Sequence, residues 1–94
     1  MILNLINCEF IFLPRFNKER DKICKKNKKL EELICEAIEL LKLNQIQFLD
    51  IKKLVGYQTD YRLKIGKIRI LFYKDKNKVG FYKIEHRNSV YKNL

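Results

Sequence analysis

YRLKIGKIRILFYKDKNKVGFYKIEHRNSVY, residues Tyr61–Tyr91, decides how this chain folds. Apolar and polar side chains alternate along much of it with the period of two that a half-buried strand imposes. Gly66-Lys67 separates Tyr61–Ile65 from Ile68–Tyr73, and a two-residue loop with glycine first suits a type II′ hairpin. Such a turn sets the register: Ile65 faces Ile68, Lys64 faces Arg69, Leu63 faces Ile70, and Arg62 faces Leu71. A second loop at Asp75, Lys76 and Asn77 leads into Val79–Ile84. Read as three residues, it places Ile68, Ile70, Phe72, Tyr82 and Ile84 on one face with Leu63 and Ile65. The other face then carries Arg62, Lys64, Arg69 and Lys83, with Leu71, Tyr73, Val79 and Phe81 among them. A two-residue loop would bury Lys83 beside Ile70, so the three-residue reading is preferred.

The apolar face asks for a covering layer, and the preceding residues supply one. Leu30, Leu33, Ile34, Ala37, Ile38 and Leu41 fall at i, i+3, i+4, i+7, i+8 and i+11, one stripe of an amphipathic helix. Phe16, Arg20, Ile23 and Cys24 keep helical spacing through about Lys26, after Pro14, which suits a first helical turn. The run KKNKK around Asn27 reads as the tip between two helices. Asn4–Phe12, rich in Ile and Phe, reads as a strand, and Asn44–Gly56 as a connection tucked under the helices. The expected fold class is α+β: one N-terminal strand, an αα-hairpin, then a three-stranded antiparallel meander with the helices on one sheet face.

Ninety-four residues give one domain over 1–94. An apolar share of 47% is enough for a globular core, which argues against disorder. The net charge of +10 is unevenly placed. Residues 1–58 hold 11 Lys/Arg against 8 Asp/Glu (+3), and residues 59–94 hold 10 against 3 (+7). A basic strand-rich end points to a polyanion such as nucleic acid, or to an acidic protein partner; a lysine-rich composition kept for solubility is the plainer alternative. Lys64 opposite Arg69 costs about 0.2–1 kcal/mol unless an anion sits between them or the two side chains splay into water.

Cys8, Cys24 and Cys35 lack the spacing of a metal site or a disulfide framework, so three buried, reduced thiols, no metal and no cofactor are expected. The stretch MILNLINCEFIFLP has no basic start and no small-residue cleavage site, which favours a strand over a signal peptide. No apolar run approaches the ~20 residues of a membrane span. A cytoplasmic protein without a membrane partner is expected.

Three pieces, GYQTDYRLKIGKIRI (Gly56–Ile70), LFYKDKNKVGFYKI (71–84) and HRNSVY (His86–Tyr91), preceded by FIFLPRFNKERDKI (10–23), resemble the RelE/ParE superfamily of bacterial toxins in order and spacing. These are the small basic partners of type II toxin–antitoxin pairs. Resemblance to the RelE branch implies a ribosome-dependent mRNA endoribonuclease, in which a ribose 2′-OH attacks its adjacent phosphate. It also implies a cognate antitoxin, and the ribosome with its mRNA and rRNA, as partners. On this resemblance Lys64 is a candidate base, and Arg69 and Arg87 clamp the phosphate. Tyr91 stacks on or protonates the substrate, and His86 is a candidate acid or base. Arg62, Lys64, Lys67 and Lys83 bind RNA. Arg62 stands where the branch usually has lysine, and Tyr91 follows Arg87 more closely than in the best-studied ribosome-dependent toxins. The same superfamily includes ParE-type inhibitors of DNA gyrase and members with no demonstrated activity, and fold alone does not choose among them.

Overall fold

A computed structural model describes residues 3–86. Arg87 and Tyr91 lie outside the described residues. The N-terminal strand is confined to β1, Glu9–Phe12. Ahead of it Asn7 adopts φ of +60° and the Cys8 N–H donates back to the Leu5 carbonyl at 3.2 Å, a turn that ends extended pairing. Leu3 and Leu5 are buried all the same.

Helix α1 runs Pro14–Cys24, with Pro14 in the first turn where its missing N–H has no intrahelical acceptor to lose. Helix α2 runs Lys28–Lys42. The expected tip is there, and Asn27 has a defined job in it: its Oδ1 accepts the Leu30 N–H at 3.1 Å, an N-cap worth about 1 kcal/mol. The α2 stripe buries Ile34, Ala37, Ile38 and Leu41, while Leu33 at its margin remains 38% exposed. Of the three cysteines expected to be buried only Cys24 is, while Cys8 is half-buried and Cys35 exposed.

The connection is not all loop. After a 3-10 turn at Ile46–Phe48, Asp50–Lys53 forms a strand, β2, pairing antiparallel with β3, Asp60–Ile65. Ile51 is buried and Leu49 packs on the core, as a tucked segment should, but Phe48 is exposed. Four residues ending in two lysines are too short to show alternation, and a short lysine-bearing strand is a common form for a sheet edge. With β4, Ile68–Asp75, and β5, Lys78–His86, the sheet has five strands in the order β1-β5-β4-β3-β2, parallel only between β1 and β5.

The first hairpin has the expected register throughout, from Arg62 opposite Leu71 to Ile65 opposite Ile68, and Gly66 takes φ of +56°. The second differs. Asp75 pairs with Lys78, so its loop is the two residues Lys76-Asn77, and a bulge at Tyr82 follows, since Leu71 pairs with Lys83 but Phe72 with Phe81. The extra residue reverses the alternation partway along β5. Val79 and Phe81 are therefore fully buried on the helix side with Ile84, and Tyr82 is on the other side with Lys83. A two-residue loop is compatible with an outward Lys83 because the bulge absorbs the mismatch.

The core lies between the helices and one sheet face. Phe16 of α1 packs 5.5 Å from Phe81 and 5.8 Å from Phe12, and Phe72 adds a further ring 5.5 Å from Phe81. Phe16, Phe72 and Phe81 are completely buried, each worth about 1.5–3 kcal/mol of transfer free energy. Where β1 ends, α1 takes over the edge of β5: Leu13 N–H donates to Phe81 O at 3.0 Å, and Ile84 N–H donates to Glu19 Oε1 at 2.9 Å.

Candidate nucleic-acid interface

The sheet face turned away from the helices is read row by row from the strand register. One row runs Asp50, Lys64, Arg69, Glu85 across β2, β3, β4 and β5. The next runs Lys52, Arg62, Leu71, Lys83. A third brings Asp60 beside Tyr73 and Gly80, with Tyr82 on the bulge.

The four expected strand cations share this face, but their surroundings divide them. Arg62 is only 17% exposed in its side chain, and its Nη1 sits 3.6 Å from Asp50 Oδ1. That separation allows charge attraction but no hydrogen bond, and Nη1 is enclosed without a hydrogen-bond acceptor. Lys83 Nζ is 3.0 Å from Glu85 Oε1. Lys64, exposed, and Arg69, half-buried, make no ion pair or hydrogen bond among the described residues. Lys67 is exposed at the II′ turn beside them. Two strand cations are thus engaged internally, and two stand face to face without a partner among the described residues.

His86 is placed elsewhere. It pairs with buried Ile68, which puts it on the helix side of the sheet, across from Lys64 and Arg69.

Sequence reasoning missed two groups of residues. Asp50 and Glu85 bracket the Lys64–Arg69 pair at the two ends of its row. Asp50 was unreadable because β2 is joined to β3 through a six-residue connection, 54–59, that sets no register. The second group is Tyr82, Asp60 and Gly80. Tyr82 Oη donates to Asp60 Oδ2 at 2.6 Å, and Thr59 Oγ1 donates to Asp60 Oδ1 at 2.9 Å. Burial first, and then the bond to the Asp60 carboxylate and its charge, push the Tyr82 phenol well above the usual tyrosine range, so it remains a donor. Tyr73 lies 6.5 Å from Tyr82, their rings 21° from parallel. The far edge of the Tyr73 ring occupies the space a Cβ on residue 80 would need. A bulge with an aromatic side chain gives no signal in a sequence of alternating residues.

No family model matches the chain. In Methanocaldococcus jannaschii, the protein Toxin RelE3 is 34% identical over 64 residues, 68% of this chain and 72% of that protein. The crystal structure of a RelB–RelE antitoxin–toxin complex from Methanococcus jannaschii superposes with a TM-score of 0.65 at 28% identity, covering 89% of this chain and 98% of its own. The YoeB dimer from Staphylococcus aureus has the same TM-score, 0.65, at 15% identity over 85% of this chain and 97% of its own, a likeness of fold. Two helices on one face of a mostly antiparallel sheet is thus an architecture this chain shares with the RelB–RelE antitoxin–toxin and YoeB structures. The chain belongs to the RelE family of toxins of toxin–antitoxin systems.

Proposed function

We propose that this toxin is a ribosome-dependent mRNA endoribonuclease, held inactive by a separately encoded antitoxin that covers its basic face or the groove beside its helices. The observation that carries the reading is the pair Lys64 and Arg69, opposed across β3 and β4 and left without partners among the described residues. Unpaired like charges on a solvent-facing sheet are what a phosphate between them would neutralise. In the reaction, the 2′-oxygen bonds to the neighbouring phosphorus as its proton leaves to a base. The bond from phosphorus to the 5′-oxygen breaks, and that oxygen is protonated, leaving a 2′,3′-cyclic phosphate. Arg69 carries the charge that builds on the phosphoryl oxygens. Lys64 is the candidate to take the 2′-proton. Arg87 and Tyr91 are proposed to act from the C-terminal segment, Arg87 as a second phosphate clamp. Lys67 and, more weakly because their charges are already engaged, Arg62 and Lys83 attract the RNA backbone.

The test is primer extension on mRNA incubated with purified ribosomes and the toxin. Cleavage is expected, reduced by about 100-fold or more in Arg69→Ala and much less in Lys83→Ala. Growth arrest on induction with intact mRNA and a DNA-damage response would replace this reading with inhibition of gyrase. Good expression without toxicity would point to a silent member.

A further inference from the structure

We infer that Tyr73 and Tyr82 form a shelf on which a base of single-stranded RNA stacks, beside the cations that hold its backbone. The inference rests on the reading of the outer sheet face as an RNA surface, and it adds a subsite that the cations do not provide.

Four features build the shelf. The bulge lets the successive residues Tyr82 and Lys83 both lie on the outer face, between buried Phe81 and Ile84, and bulges recur where side chains must be re-aimed. Asp60 fixes that ring from two strands away through the 2.6 Å bond to Tyr82 Oη. Gly80, in the middle of β5, leaves the space in which the Tyr73 ring lies, a use of glycine in a strand that otherwise only weakens it. The two rings then lie 21° from parallel with centroids 6.5 Å apart, both half-buried rather than sealed.

Position supplies the occupant. Tyr73 is four residues along β4 from Arg69 and on the same face, about 13–14 Å away. A strand of RNA with a phosphate at Lys64 and Arg69 would pass Leu71 and reach the shelf with a neighbouring nucleotide. Aromatic faces beside unpaired cations are the general means of holding single-stranded nucleic acid without reading its sequence. An acidic protein would satisfy the cations but would have no use for two anchored rings at this spacing.

The experiment uses the intact toxin and short single-stranded RNAs in which one 2-aminopurine is moved along the chain, since its fluorescence is quenched on stacking. Binding to the wild type should quench the probe at one or two positions. Tyr73→Leu should abolish that quenching and weaken binding on the order of tenfold, with the slope of affinity against salt unchanged. Tyr73→Phe should retain both signals, which separates loss of the ring from loss of the fold. Gly80→Ala, which displaces the ring without removing it, should behave like Tyr73→Leu. Arg69→Ala should instead lower the salt slope by about one. Equal binding by wild type and Tyr73→Leu, with no position quenched, would overturn the shelf and leave the RNA surface standing. Failure of the wild type to bind RNA even at low salt would overturn the surface and the shelf together.

Discussion

Lys64 and Arg69 stand directly opposite each other on β3 and β4, on the face away from the helices, with Asp50 and Glu85 one strand further out on either side. The acids do not close on the pair. Asp50 is drawn to Arg62 at 3.6 Å and Glu85 to Lys83 at 3.0 Å. The row as a whole is neutral, yet its centre is not.

This arrangement sets function against stability. Lys64→Gln should stabilise the toxin by about 0.2–1 kcal/mol at low salt, because a like-charge cross-strand pair is removed. The gain should fade as salt screens the exposed charges. Urea titrations at two salt concentrations measure it; a loss of stability at low salt would show that Lys64 has a favourable contact instead.

The bond from Tyr82 to Asp60 makes stability sensitive to alkali. The folded chain keeps the Tyr82 proton to higher pH than the unfolded chain, whose tyrosines ionise near 10. The contribution is therefore fully present below about pH 10 and declines above it, as the unfolded state alone gives up its proton. Tyr82→Phe should lower stability by about 1 kcal/mol at neutral pH and flatten the decline above pH 10. Denaturation series from pH 7 to 11 on both proteins give the comparison.

Glu19 completes a strand from a helix. β1 ends at Phe12, and the Ile84 N–H beyond its reach donates to Glu19 Oε1 at 2.9 Å. Glu19→Ala should cost about 1–3 kcal/mol, the penalty of an unsatisfied donor, and should accelerate hydrogen exchange at the Ile84 amide. Glu19→Gln, which keeps an acceptor oxygen, should recover most of the protection. The Arg15–Glu19 contact at 3.5 Å is largely exposed on the arginine side and adds little.

Much of this protein was determined by the residues alone, where the deciding forces are local. Gly66-Lys67 specifies a turn, the turn specifies Lys64 against Arg69, and the period of the α2 stripe specifies which face is covered. Pro14 and Asn27 begin two helices for reasons confined to one turn of chain. The relationships that only the tertiary structure decided are those between segments with no short turn to register them. β2 joins the sheet through Ile51, and its Asp50 claims Arg62 from across the ladder. The Tyr82 bulge reverses the alternation of β5, because burying Val79, Phe81 and Ile84 together outweighs an unbroken ladder. That same reversal keeps Lys83 beside Tyr82 on the outer face and puts His86 on the helix side. So the cations were legible as a set. Which of them remain unpaired, and which rings stand beside them, depended on packing between distant strands.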